Sequence, residues 1–277
     1  MQHTESTFTS FDGLSLYRQS WLPDGEPRGV ILLVHGLAEH SGRYAHVASA
    51  LVDAGFAVHA LDLRGHGRSD GLRVYVKTYD EYMRDVLQFR RLVETEHPGG
   101  RLTVLGHSMG GNLAMGHVLD HQDGVQSLVL SGPALKIGES MPKWQIRVLL
   151  LIAKIAPKMR PQALDASTIS RDPKVVDAYR ADPLVHSGKV TAGLGAALIG
   201  AMRSFPARYP SLRLPILLLH GTNDQLADIG GSKDLERLAV NATVTSHFYE
   251  GLYHEVFNEP EQATVLRDLT DWLQAER

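Results

Sequence analysis

Leu102-Thr103-Val104-Leu105-Gly106-His107-Ser108-Met109-Gly110-Gly111-Asn112 is the stretch that decides the architecture. Leu102 to Leu105 has the character of a short buried strand, and Asn112 to His121 reads as a helix. A serine with a glycine two residues to either side, at a strand-to-helix junction, has the form of a nucleophile elbow. The turn is tight enough that only small residues fit around it. The strained backbone it imposes on the serine leaves Oγ in the open. A bare Gly-x-Ser-x-Gly arises often by chance, so the reading depends on the company Ser108 keeps.

Working outward, strand-length apolar runs alternate with helical stretches. Ser6 to Ser10 and Leu14 to Trp21 flank an Asp12-Gly13 turn and read as a hairpin. Further strands are expected at 30–34, 57–61, 102–105, 127–130, 216–219 and 244–249, with helices over 44–54, 79–96, 109–121, 231–239 and 256–274. The central runs are continuously aliphatic, as in parallel strands covered on both faces. The expectation is an eight-stranded, mostly parallel sheet with helices on both faces. Between Ser131 and Ile216 there is no strand signal, and an unstructured loop of that length is improbable. The interval reads as an inserted helical cap, about 135–212, within a single domain spanning 1–277. Its first helix, Lys143 to Ala156, is apolar almost all the way round, so it is either packed on the main domain or in touch with lipid.

A serine needs a base, and the base needs an orienting acid, in the chain order Ser, Asp or Glu, His. The strand at 216–219 ends in His220-Gly221-Thr222-Asn223-Asp224, and the last strand ends in Tyr249-Glu250-Gly251-Leu252-Tyr253-His254. Asp224 and His254 thus fall just past strands, on the edge where open α/β sheets bind ligands. They are the expected acid and base. Asp228 reads as a helix start, Glu250 as a surface charge, and His107 and His220 as structural histidines without a path to Ser108. The oxyanion donors are expected to be the backbone N–H of Met109 and that of Leu37, in His35-Gly36-Leu37-Ala38-Glu39.

Composition narrows the alternatives. The 277 residues carry a net charge of −3 without a basic block, so nothing favours nucleic acid. Cysteine is absent, which excludes disulfides, thiolate catalysis and cysteine zinc sites. His117 and His121, four apart on a helix, lack a third ligand and read as two surface histidines. Gly193-Leu194-Gly195 follows no strand, so no dinucleotide site is expected. No cofactor or metal is expected. The polar start Met1-Gln2-His3-Thr4-Glu5 has no signal-peptide pattern, so a cytoplasmic protein is expected, with peripheral membrane association through the cap kept open.

Four motifs carry a family resemblance: His35-Gly36-Leu37-Ala38-Glu39-His40-Ser41-Gly42-Arg43-Tyr44, Asp62-Leu63-Arg64-Gly65-His66-Gly67-Arg68-Ser69, Gly106-His107-Ser108-Met109-Gly110-Gly111 and Tyr253-His254-Glu255-Val256-Phe257. The chain resembles the monoacylglycerol lipases, serine hydrolases of the α/β-hydrolase fold. The first motif is the most specific, and the cap the least similar part. The resemblance implies Ser108, Asp224 and His254 as triad, Leu37 and Met109 as oxyanion donors, and Glu39 and Arg43 beside a pocket for the glycerol head group. A local ion pair is the plainer reading of Glu39 and Arg43. The implied reaction is hydrolysis of a monoacylglycerol to fatty acid and glycerol through an acyl-enzyme, with weak membrane or lipid-droplet contact through the cap. A lysophospholipase or general carboxylesterase with the same triad is the alternative. A non-catalytic binding module is the rival from another class.

Overall fold

The computed structural model describes residues 1–138, 141–161 and 165–276. Eight strands form one sheet: β1 (Gln2–Thr9), β2 (Ser15–Leu22), β3 (Gly29–Val34), β4 (Phe56–Leu61), β5 (Leu102–His107), β6 (Val125–Ser131), β7 (Ile216–Gly221) and β8 (Val244–Tyr249). Their spatial order is β1-β2-β4-β3-β5-β6-β7-β8. β2 runs antiparallel to both neighbours, and β3 to β8 are mutually parallel. Chain order reverses between β3 and β5, which opens a crevice at their carboxyl ends, where the loop at 35–40 and the elbow at Ser108 emerge.

Alternation along the strands sorts the core into two layers. Val30, Leu32 and Val34 pack on one face with α2 (Tyr79–Glu96), α3 (Met109–Asp120) and Leu235 of α7 (Ile229–Leu238). Ile31 and Leu33 pack on the other with α1 (Ala45–Asp53) and α8 (Gln262–Ala275). The expected helix over 256–274 is broken. A 3₁₀ turn covers Val256–Asn258, Glu259 is extended, and α8 starts only after Pro260. The proline ring disfavours helical geometry at the residue before it.

Between β6 and β7 lie α4 (Lys143–Ile155), α5 (Pro173–Ala181) and α6 (Ala192–Ser204). Residues 139–140 and 162–164, inside the expected cap range, are outside the described residues. α4 is not the covered helix that its composition allows. It packs on α6, Ile146 is its one buried residue, and Trp144, Val148, Leu151 and Ile155 face outward. Among the described residues no helix is long and apolar enough to cross a membrane.

Candidate active site

Ser108 sits between β5 and α3 at φ 54°, ψ −118°, a conformation an L-residue holds at a cost of about 1–3 kcal/mol. Neighbouring backbone imposes it. The Ser108 N–H donates to the Ser131 carbonyl at 3.0 Å, and its own carbonyl accepts from Asn112 and Ala134 N–H groups at 3.1 and 3.0 Å. The glycines are steric necessities: a Cβ on Gly110 would stand 2.1 Å from the Val34 carbonyl oxygen.

Asp224 and His254 leave the ends of β7 and β8 and meet. His254 Nδ1 donates to Asp224 Oδ2 at 2.7 Å, while Oδ1 accepts the N–H groups of Leu226 and Ala227 at 2.8 and 2.9 Å. Burial works against the Asp224 charge, but His254 and His220 outweigh it and hold the carboxyl far below its ordinary range. Burial likewise disfavours the His254 imidazolium. Asp224, Glu255 and Glu39 overcome that and raise its pKa above the usual histidine value. Such a couple can take a proton from a hydroxyl and stabilise the resulting imidazolium. Ser108 Oγ and His254 share no hydrogen bond among the described residues, although both line one cavity. Contacts of this kind commonly tighten only when substrate is bound.

The backbone N–H groups of Leu37 and Met109 have no acceptor among the described residues. Both flank Ser108 on the cavity wall, where donors to a developing oxyanion must be unspent. Glu39 and Arg43 form the local ion pair, and more. Glu39 Oε1 accepts from the Gly36 N–H and the Tyr44 hydroxyl, each at 2.6 Å, and Oε2 accepts from Arg43 at 2.5 Å. Three of the roughly four acceptor positions of the carboxylate are thereby taken. Arg43 also forks onto both oxygens of Glu255 at 2.7 Å and lies over the Tyr179 ring of α5. Arg43 is thus engaged by two carboxylates and an aromatic ring, the local ion pair that is the plainer reading of these two residues.

Two further segments brace the loop. Ala38, at φ 66°, accepts the His186 N–H at 2.8 Å, and His40 Nε2 donates to Asp182 Oδ2 at 2.9 Å. The stretch Asp182-Pro183-Leu184-Val185 with His186 therefore ties the region between β6 and β7 to the loop at 35–40. The Asp62 to Ser69 motif is scaffold as well: Asp62 Oδ1 accepts the N–H and hydroxyl of Ser41.

Several residues at the site escaped the sequence reading. His107 does reach it, since its ring centre lies 4.8 Å from that of His254. Burial, then the neighbouring His254, pushes its pKa down to about 4. His220 Nε2 lies 3.1 Å from Asp224 Oδ2 and donates to the Ala227 carbonyl at 3.3 Å. Gly132, at φ 47°, leaves room for the couple: a Cβ there would stand 3.2 Å from His254 Nδ1 and 3.3 Å from Asp224 Oδ2. Gly132-Pro133 directly after a strand was the one available signal. Asp228 caps α7 as expected. His117 is fully buried against Arg90, not on the surface. No group of three or more potential metal ligands occurs among the described residues.

The cavity over Ser108 has a volume of about 210 Å³. Met109, Leu149, Leu198, Ile199, Met202 and Leu226 give it apolar walls, and among the described residues its acidic lining is Glu39 and Glu255.

The chain is similar to known proteins over nearly its whole length. The family described as serine aminopeptidase, S33, matches residues 25–261. A monoacylglycerol lipase of Mycolicibacterium smegmatis is 43% identical over 270 residues, covering 98% of this chain and 96% of that protein. The monoglyceride lipase of Homo sapiens is 33% identical over 265 residues, covering 95% and 88%. The crystal structure of Paleococcus ferrophilus monoacylglycerol lipase superposes with a TM-score of 0.82 at 29% identity, covering 100% of both chains. The chain belongs to the monoacylglycerol lipase family of serine α/β-hydrolases.

Proposed function

We propose that this protein hydrolyses monoacylglycerols to a fatty acid and glycerol. The observation that carries the reading is an apolar cavity holding Ser108 at its wall, with the Asp224–His254 couple and two unspent N–H donors beside it. His254 takes the Ser108 proton as Oγ attacks the ester carbonyl, and Leu37 and Met109 N–H groups hold the oxyanion. Glycerol departs with the proton from His254. Water, deprotonated by the same imidazole, then releases the fatty acid. The helices between β6 and β7 act as a cap that houses one acyl chain and limits water. Glycerol hydroxyls lie against the wall formed by Glu39 and Glu255, which Arg43 holds in place. An aminopeptidase reading is weaker, because a peptide ammonium would find both lining carboxylates already paired with Arg43.

Matched emulsions of mono- and triacylglycerol, a lysophospholipid and an alkyl ester of equal chain length test the substrate. Monoacylglycerol is expected to turn over fastest. Equal rates on mono- and triacylglycerol would leave a general lipase or esterase, and a faster lysophospholipid would install the alternative. The oxyanion assignment has its own test. Leu37→Ala keeps the N–H and substantial activity, whereas Leu37→Pro loses at least about 10²-fold. Equal activity in two folded variants rejects the donor.

Peripheral lipid contact belongs to the same proposal. Residues 141–161 contain no carboxylate, and exposed Lys143, Arg147, Lys154 and Lys158 flank the outward apolar residues of α4. A helix of this character lies in a membrane interface. Leu151→Asp is expected to weaken vesicle binding about tenfold, the scale of one buried leucine, while sparing a soluble short-chain ester. Failure of the unmodified protein to bind vesicles of any charge defeats this part.

A further inference from the structure

His220 is a fully buried imidazole at the end of β7 that the mechanism above does not use. Its Nε2 lies 3.1 Å from Asp224 Oδ2 and 3.3 Å from the Ala227 carbonyl oxygen. Both partners are acceptors only, so Nε2 carries the hydrogen. In the neutral ring Nδ1 is then an acceptor, and the fully buried Ser232 of α7 supplies its hydroxyl at 2.8 Å. The tautomer is fixed from both sides.

This N–H stands at the edge of the Asp224 shell. Oδ1 receives the Leu226 and Ala227 N–H groups, and Oδ2 receives His254. The His220 N–H holds the carbonyl of Ala227, so it pins the same turn whose N–H groups hold Oδ1. Its Nε2 also stands 3.1 Å from Oδ2, the oxygen that orients His254. An N–H dipole beside a carboxylate draws off part of the charge that its other partner feels.

We propose that His220 is a positioning residue for the hydrolysis: its Nε2–H, held on the Ala227 carbonyl and beside Asp224 Oδ2, fixes the turn that carries the acid and limits how strongly the acid holds the His254 imidazolium. Ser232 acts one step further out by fixing the tautomer of His220. The inference rests on Asp224 and His254 being acid and base. Besides Asp224, the groups facing His254 are His107 from β5, the adjoining Glu255, and Glu39 beyond it, the two glutamates being paired with Arg43. None of these is altered by a change at His220.

The test compares His220→Leu with His220→Gln in the full chain, using a soluble short-chain p-nitrophenyl ester. Leucine removes the donor, whereas glutamine places an N–H near the position of Nε2. His220→Leu should lower kcat/KM about 10-fold, the scale of leaving one buried carbonyl beside the acid without its donor. Its acid limb should also move to higher pH by about half to one unit, because a less satisfied Asp224 stabilises the imidazolium more. His220→Gln should restore most of the rate and return the acid limb. The low-field Nδ1 proton resonance of His254 should shift in the leucine variant and recover in the glutamine one. If His220→Leu does not fold, Ser232→Ala frees the tautomer and should shift the acid limb in the same direction by less. An unmoved acid limb and resonance in the folded variants overturn the proposal, as does a glutamine variant indistinguishable from leucine. Asp224→Asn run in parallel separates the two readings, because full activity there would fail the acid assignment itself.

Discussion

Ser108→Ala is expected to lower ester hydrolysis by about 10⁴- to 10⁶-fold, the range over which serine hydrolases lose rate when the nucleophile is removed. The structure explains why little should remain. Oγ is the only group of the elbow presented to the cavity for covalent attack, and the strained φ of 54° at Ser108 exists to present it. The backbone hydrogen bonds of the elbow do not involve Oγ, so the variant should fold as before. Asp224→Asn is expected to lose on the order of 10⁴-fold, because an amide can turn its NH₂ toward His254 Nδ1 and favour the wrong tautomer. Fluorophosphonate labelling checks the pair: Ser108→Ala should not label, and Asp224→Asn should label slowly. A labelled alanine variant would put the nucleophile elsewhere. A near-normal asparagine variant would move the acid role away from Asp224.

Arg43→Met should be the most destabilising single change at the site, costing roughly 3–5 kcal/mol, the usual result of stripping one partner from a buried ion pair. Among the described residues the guanidinium is the one cation on Glu39 and Glu255, and it reaches Glu255 across 212 positions of sequence. Without it two carboxylates of low exposure face each other beside His254. The midpoint of thermal unfolding should fall on the order of 10 °C. Activity should fall further than stability alone demands. Glu39 fixes the Gly36 N–H, hence the loop carrying the Leu37 donor, and Glu255 adjoins the base. Arg43→Lys keeps the charge but loses the fork, so it should recover part of the stability and little of the rate. A denaturant titration showing a loss under about 1 kcal/mol, with kcat/KM intact, would mean that the fork holds nothing together.

The fold was legible where local signals sufficed. Continuous aliphatic runs marked the parallel strands, and the glycines around Ser108 marked the elbow, because both follow from the backbone of a few adjacent residues. The positions of Asp224 and His254 were legible for the same reason, as residues just past strands. Long-range pairing was not. Nothing near His220 says that Ser232 and Asp224 lie to either side of it, and nothing near Arg43 announces Glu255. An apolar stretch such as 143–156 also does not say which neighbours arrive to cover it, and α4 packs chiefly on α6 with its other face outward. His117 misled in the opposite sense, since a polar side chain gives no hint that a buried Arg90 stands against it.

The outer face of α4 also bears on how the protein behaves among its own copies. A bare apolar stripe in water invites a second molecule to cover it, the usual start of dimers and precipitates. Here Lys143, Arg147, Lys154 and Lys158 rim the stripe with no carboxylate in 141–161 to answer them. Two such faces brought together would oppose cation to cation, so each copy repels the surface most like its own. In the lipid contact proposed above, the same rim would draw the helix to anionic head groups. Colloidal stability and that lipid preference would then be one arrangement of charge seen against two neighbours, and salt, by screening it, should loosen both together.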